Sequence, residues 1–156
     1  MEYKTRVAAG NGSQDIIIER EFDLPVDWLF KAYEDPEIFE EWMDTKVMLM
    51  ENKKYGCYAF QTSRNGVVVF SAYGTIHEFT PNRKIIRTFE MENTPFPVQL
   101  EFLYFEKLTE EKSLLRIQII FQSAEFRNQL LKMPFAYGLN QAHDRLQQLI
   151  NKKITL

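Results

Sequence analysis

The sequence predicts an α+β fold, in which a curved antiparallel sheet of about six to seven strands wraps around a long C-terminal helix. Apolar residues recur at helical spacing early in the chain, alternate with polar residues over 45–121, and return to helical spacing near the C-terminus. A sheet with one apolar face must be covered, and the helices are available to cover it. We expect residues 15–156 to form a single domain, preceded by a flexible segment over 1–14.

Two short helices are predicted directly after the first strand. Residues 16–22 are β-branched and then alternate between apolar and charged, which is typical of a strand. Pro25 is suited to the first position of a helix, where its missing N–H is no loss. Asp35 and Pro36 predict the N-cap and first residue of a second helix, and Trp42 belongs to the buried face of that helix.

The middle of the chain has the two-residue period of β-strands, which predicts about six antiparallel strands between residues 47 and 121. Asn65-Gly66 lies between two of these patterns and predicts a tight hairpin, because both central residues of a type I′ turn need positive φ. Residues 139–150 then place their apolar side chains on one face of a helix. Pro134 and Gly138 are expected to interrupt or kink the helix before that point.

If the sheet curls, one amphipathic helix does not fill its hollow, and a cavity remains between the helix and the concave face. Small residues at Ala72 and Gly74 would leave room in the middle of that face. The alternative is that the same side chains pack against the helix as a full core. The predicted ligand-binding residues are Trp42, Tyr58, Phe60, Phe70, Ala72, Ile76, Arg87, Phe102, Tyr104, Ile117, Ile119, Phe121, Phe135, Leu139 and His143.

Two polar residues in that set have alternative interpretations. Arg87 interrupts the apolar pattern of its strand, so it either points inward to anchor a ligand carboxylate or lies on the surface, which the sequence slightly favours. His143 is either an acid or base at the cavity edge or, as is more usual, a hydrogen-bonded packing residue. His77 has the opposite parity from Ile76 and is predicted to face solvent.

The run from Phe22 through Pro25, Asp35-Pro36 and Trp42 resembles the opening signature of the SRPBCC superfamily, which includes the START-like and birch-pollen-allergen-like helix-grip proteins. Within it, the chain is most similar to the activators of the ninety-kilodalton heat-shock protein ATPase and their bacterial relatives. Further motifs agree in order over roughly 15–152: Gly56-Cys57-Tyr58, Tyr73-Gly74-Thr75-Ile76, Thr80-Pro81, Gly138-Leu139 and Asp144-Arg145-Leu146. The resemblance implies the helix-grip fold and a cavity for an apolar molecule.

Composition excludes several function classes. A net charge of -3 argues against nucleic-acid binding, which needs basic surfaces. Cys57 is the single cysteine, so no intramolecular disulfide can form, and its apolar neighbours predict that it is buried. Neither a phosphate loop, a nucleophile elbow nor a metal-ligand pattern is present, so we expect no metal and no cofactor. No membrane span or signal peptide is predicted, and we expect a cytoplasmic monomer.

Three functions remain open at this point. The first is a binding protein for a small hydrophobic molecule, such as a lipid, an isoprenoid or a polyketide-like compound. The second is a co-chaperone-like protein whose partner is a heat-shock ATPase. The third is a cyclase-type enzyme that shapes a reactive substrate and uses His143 or a tyrosine as acid.

Overall fold

The computed structural model describes residues 3–155, which form an eight-stranded antiparallel sheet and four helices. The elements in chain order are β1 (Arg6–Ala8), β2 (Asp15–Phe22), α1 (Val26–Glu34), α2 (Pro36–Met43), β3 (Lys46–Met50), β4 (Cys57–Arg64), β5 (Val67–Thr80), β6 (Lys84–Met91), β7 (Gln99–Lys107), β8 (Ser113–Ile120), α3 (Ala124–Leu131) and α4 (Phe135–Ile154). The predicted fold, a curved antiparallel sheet with a long C-terminal helix, is confirmed.

The sheet has the strand order β1-β2-β8-β7-β6-β5-β4-β3. Strands β3 to β8 therefore follow one another as a meander, whereas β2 pairs with the last strand, β8, instead of with β3. Helices α1 and α2 connect β2 to β3 across the sheet and pack against β7, β8 and α4. This connection places two helices over the same face of the sheet that α4 covers.

The eighth strand, β1, lies in the segment that the sequence predicts to be flexible. It pairs with β2, and the side chain of Thr5 just before it is buried. Arg127 of α3 holds the following loop, since its Nη1 donates hydrogen bonds to Gly10 O at 2.6 Å and to Ser13 Oγ at 2.7 Å. These contacts attach the segment to the rest of the fold.

The predicted helix and hairpin signals have the local geometry that their residue types require. Asp35 is the N-cap of α2, and its Oδ1 accepts hydrogen bonds from the backbone N–H groups of Glu37 and Ile38. Asn65 and Gly66 have φ values of 54° and 78°, which is the left-handed geometry of the predicted tight turn. Pro25 precedes α1 as its N-cap instead of being its first residue.

The C-terminal part differs from the prediction in two respects. Pro134 does separate two helices, but Gly138 lies inside α4, which continues without a break from Phe135 to Ile154. A glycine within a helix costs about 1 kcal/mol, an amount that the buried face of a 20-residue helix readily offsets. The short helix α3 before Pro134 was not predicted, and Ser123 caps it by accepting a hydrogen bond from Phe126 N.

The prediction that Cys57 is buried is wrong. It lies at the start of β4 with its side chain exposed, while the next residue, Tyr58, points into the core. Alternation along the strand causes this result, because Cys57 and Tyr58 must lie on opposite faces. His77 is exposed, as predicted. Within residues 3–155, no helix is both long enough and apolar enough to cross a membrane.

Candidate functional site

A cavity of about 220 Å³ lies between the concave face of the sheet and the helices. All four helices and strands β2, β6, β7 and β8 contribute to its wall, and most of the side chains are apolar. The lining residues are Ile18, Tyr33, Phe39, Trp42, Met43, Arg87, Phe89, Met91, Gln99, Glu101, Leu103, Ile117, Ile119, Leu130, Phe135 and Leu139.

The register of the sheet aligns the lining residues of the strands in rows. Directly opposed residues of antiparallel strands share a face, so a row extends over several strands. One apolar row contains Leu103 of β7, paired with Ile85 of β6 and with Ile117 of β8. The next row contains Glu101 of β7, paired with Arg87 on one side and Ile119 on the other. These two rows place the charged pair Arg87 and Glu101 between apolar neighbours on the concave face.

The prediction that Phe102 and Tyr104 line the cavity is wrong. Both residues lie on the opposite face of β7, where their rings stack with centroids 6.5 Å apart. Every second residue of β7 from Gln99 to Phe105 is buried instead. Both faces of this strand carry apolar residues in the sequence. Because Glu101 is charged, the face that it shares with Leu103 is predicted to be the solvent-exposed one. Its charge is accepted there because Arg87 lies opposite to it.

Arg87 points inward, which corrects the slight preference of the sequence for the surface. Its Nε donates a hydrogen bond to Glu101 Oε1 at 3.0 Å, and the two side chains are only 15% and 9% exposed. Gln99 Nε2 donates to the other oxygen of Glu101 at 2.9 Å. Both carboxylate oxygens therefore have partners, which a buried carboxylate requires. Glu101 and Gln99 were missed by the sequence analysis, although opposite charges on neighbouring strands could have indicated the pair.

The guanidinium of Arg87 also lies over the ring of Tyr58, with its Cζ 5.0 Å from the ring centroid. Burial lowers the pKa of Arg87, but the carboxylate charge of Glu101 and its hydrogen bond raise it, and the resulting pKa lies above the ordinary value. Burial raises the pKa of the Tyr58 hydroxyl, so Tyr58 is neutral and donates its hydrogen bond to the backbone oxygen of Thr88. Arg87 is therefore held as a cation between Tyr58 and Glu101.

Gly74 provides the space that Tyr58 occupies. The two residues are directly opposed on β5 and β4, and a Cβ atom at position 74 would collide with the end of the Tyr58 side chain and with Thr88 O. The small size of Gly74 predicted open room at this point of the sheet. Tyr58 fills that room, and the open space lies instead nearer to Arg87 and the helices.

The helical wall is built on an aromatic cluster. Trp42 of α2 donates a hydrogen bond from Nε1 to Ala32 O at 2.8 Å, which joins α2 to α1. Tyr33 packs against it with ring centroids 5.0 Å apart, and Phe39 does so at 5.3 Å. All three rings are buried and touch the cavity. Tyr33 is a further residue that the sequence analysis did not assign to the site.

The remaining predicted residues divide into two groups. Phe135 and Leu139 of α4 line the cavity, as do Trp42, Ile117 and Ile119. The other group lies in the core beside the cavity without lining it: Tyr58, Phe60, Phe70, Ala72, Ile76 and Phe121. A cavity and a filled core, the two alternatives that the sequence allows, thus occupy different parts of the same face.

His143 is fully buried but is not part of the cavity wall. Its Nδ1 lies 2.8 Å from Thr5 Oγ1, and its ring packs against Phe22 and Trp42. Burial, with a smaller contribution from nearby Arg20, lowers the pKa of His143 to about 3. The imidazole is therefore neutral at pH 7 and is placed as a packing residue, and the geometry does not favour its use as the acid of a cyclase.

Among the described residues, no three His, Cys, Asp or Glu side chains come close enough together to hold a metal ion. Glu101, a buried carboxylate at the cavity, is already bound to Arg87 and Gln99. The wall of the cavity thus combines apolar side chains with two charges and a few hydrogen-bonding groups.

The sequence matches one family model over residues 23–151, that of the Activator of Hsp90 ATPase homolog 1-like proteins. The chain belongs to this family. The match begins directly after β2 and extends almost to the end of α4, so it includes every element that lines the cavity except β2. It confirms the resemblance that the sequence motifs indicated. No curated protein matches the sequence significantly.

Several solved structures have a fold similar to that of this chain. A protein from Rhodobacter sphaeroides has a TM-score of 0.84 at 15% identity, covering 95% of this chain and 99% of that one. Protein Ms6760 from Mycobacterium smegmatis has a TM-score of 0.81 at 20% identity, with 96% and 98% covered. CalU16 from Micromonospora echinospora has a TM-score of 0.67 at 21% identity, with 97% and 88% covered. At such identities these structures establish the fold.

Proposed function

We propose that this protein binds a small hydrophobic molecule in the cavity between the sheet and the helices. The observation that carries the proposal is an apolar cavity with one charged pair, Arg87 and Glu101, in its wall. Ligand sites commonly combine an apolar lining with a few polar groups that set orientation. Membership of the activator family, which suggests a ligand-binding or co-chaperone-like function, supports the same proposal.

The volume narrows the class of ligand. An apolar cavity of about 150 Å³ can hold benzene, whereas sites for drug-sized molecules have about 300–1,000 Å³. The 220 Å³ found here suits a molecule with a single substituted ring or a short branched chain. Among the lipids, isoprenoids and polyketide-like compounds expected from the sequence, the smallest members fit this space without movement of the helices.

Native mass spectrometry tests the proposal. Protein purified from its host should retain an extra mass that disappears on denaturation. Leu139→Trp would fill the cavity from α4 and should remove the extra mass, while Gln141→Trp places the same ring on the exposed side of α4 as a control. A bare mass for the unmodified protein, combined with no NMR shifts at cavity residues on titration with ethylbenzene, would contradict the proposal.

The family description supports a second candidate function, regulation of an Hsp90-type ATPase. Exposed apolar side chains are available for contact with a protein, including Met48 on the edge strand β3 and Val67 and Val69 at the start of β5. The test is the ATPase rate of the purified chaperone with and without the protein. Met48→Lys with Val69→Lys should weaken any stimulation, and an unchanged chaperone rate would remove this candidate.

A further inference from the structure

In the polar part of the cavity wall, several described hydrogen-bond donors have no partner, whereas both oxygens of the Glu101 carboxylate do. Glu101 uses both carboxylate oxygens, one on Arg87 Nε and one on Gln99 Nε2. Within residues 3–155, the terminal nitrogens of Arg87 and the hydroxyl of Tyr33 make no hydrogen bond, and none of these atoms is completely enclosed. Both residues belong to the lining of the cavity.

The charge balance of this wall discriminates between classes of ligand. Arg87 and Glu101 together carry no net charge, and they lie directly opposite each other on adjacent strands. A carboxylate ligand that approached Arg87 would also approach the carboxylate of Glu101, in surroundings that screen repulsion weakly. A cationic ligand would find both carboxylate oxygens of Glu101 already hydrogen-bonded to Arg87 and Gln99. A ligand with no polar atom would leave the donors of Arg87 without partners when it displaced water.

We propose, on the basis of the binding function proposed above, that the cavity selects a neutral molecule of about one ring that carries a carbonyl oxygen. The oxygen accepts a hydrogen bond from a terminal N–H of Arg87, and the Tyr33 hydroxyl supplies a second donor. The apolar body of the ligand lies against Ile119, Leu103 and Phe135. Aromatic ketones, aldehydes and amides of this size meet these requirements.

Three probes of nearly equal size test the proposal: acetophenone, ethylbenzene and benzoate. Each is titrated into the unmodified protein, and the dissociation constant is read from NMR shifts of cavity residues. Acetophenone should bind at least about tenfold more tightly than the other two, since a hydrogen bond to a charged donor commonly contributes that much or more. Equal affinity for ethylbenzene, or tighter binding of benzoate, would overturn the proposal while leaving a ligand-binding cavity in place.

Two substitutions make the test sharper. Arg87→Met should remove most of the preference for acetophenone over ethylbenzene, because the Tyr33 hydroxyl alone then donates to the carbonyl oxygen. Glu101→Gln leaves the charge of Arg87 without compensation and should reverse the selectivity, so that benzoate binds more tightly than acetophenone. Arg116→Met, on the outer face of β8, is the control and should change neither ratio. Circular dichroism melts establish that each variant is folded.

The outcomes separate this inference from the proposed function. Binding of none of the three probes to the unmodified protein would count against both. Binding of all three with similar affinity would overturn the selectivity for a carbonyl group and retain the apolar cavity as a binding site. Unchanged selectivity in Glu101→Gln, in a variant that is folded, would also contradict the role assigned to the Arg87–Glu101 pair.

Discussion

His143 Nδ1 lies 2.8 Å from Thr5 Oγ1, so the middle of α4 is hydrogen-bonded to the residue just before β1. Arg20 of β2 joins the same group, because its Nη1 is 3.3 Å from Thr5 Oγ1 and its Nη2 forms an ion pair with Asp144 at 2.8 Å. Polar contacts thus join the N-terminal edge of the sheet to the long helix, and those made by Thr5 Oγ1 are buried.

This arrangement predicts a loss of stability in mild acid. The pKa of His143 falls from its ordinary 6.5 to about 3 on folding, so between these values the unfolded chain binds a proton that the folded protein does not. The contribution of neutral His143 to the free energy of unfolding is fully present above pH 6.5. Below that pH it decreases by about 1.4 kcal/mol per pH unit. Urea denaturation at pH 5, 6, 7 and 8 should give a flatter profile for His143→Gln, because Gln does not titrate.

The exposed histidine provides the control for this prediction. His77→Gln makes the same chemical change on the surface and should keep the slope of the unmodified protein. Carboxylates contribute to acid destabilisation in all three proteins and cancel in the comparison. Parallel profiles for His143→Gln and the unmodified protein would contradict the neutral state assigned to His143.

Trp42→Phe tests the connection between the two short helices. The variant keeps an aromatic ring but removes the Nε1–H that donates to Ala32 O in a buried environment. We expect the free energy of unfolding to fall by about 1–3 kcal/mol, the usual cost of a lost buried hydrogen bond and lost apolar contact. Trp28→Phe, on the partly exposed side of α1, should change it by less than about 0.5 kcal/mol. A cost for Trp28→Phe equal to that for Trp42→Phe would show that the hydrogen bond adds nothing.

Gly74→Ala and Gly138→Ala should have opposite effects on stability. At position 74 the new methyl group collides with Tyr58 and with Thr88 O, so we expect destabilisation of about 1–3 kcal/mol. At position 138, inside α4, a Cβ meets no atom within 4 Å, and alanine should stabilise the protein by about 0.5–1 kcal/mol. Thermal unfolding measures both. Stabilisation by Gly74→Ala would mean that Tyr58 moves aside freely, against the close packing described here.

The sequence predicted the helices and strands well where one physical signal dominated. Asp35-Pro36 began α2 and Asn65-Gly66 formed the hairpin turn, because capping and positive φ restrict which residues fit. Three-residue β1 was not predicted, since so short a strand has no periodicity of its own and depends on its pairing with β2. Family membership was correctly inferred from the order of several individually weak motifs.

The candidate site was harder to predict than the fold. Apolar residues occur on both faces of β7, so the sequence pattern alone does not show which face points inward. The inward face is the one that carries Glu101, which forms a salt bridge with Arg87 on the neighbouring strand. A rule that sends charges to the surface selects Phe102 and Tyr104 instead. The position of the Tyr58 side chain over Gly74 is likewise determined by packing between β4 and β5, which a single sequence does not reveal.

The pairing of β2 with β8 also determines when the sheet can be completed during synthesis. Asp15 lies opposite Ile120, so about a hundred residues must emerge after β2 before its partner exists. The meander from β3 to β8 has neighbours that follow one another in sequence, and its hairpins can form with little loop-closure cost. We therefore expect the growing chain to form its sheet from the β3 edge inward. The N-terminal strands, although synthesised first, would join the sheet last, and the cavity wall that they support would be completed at that stage.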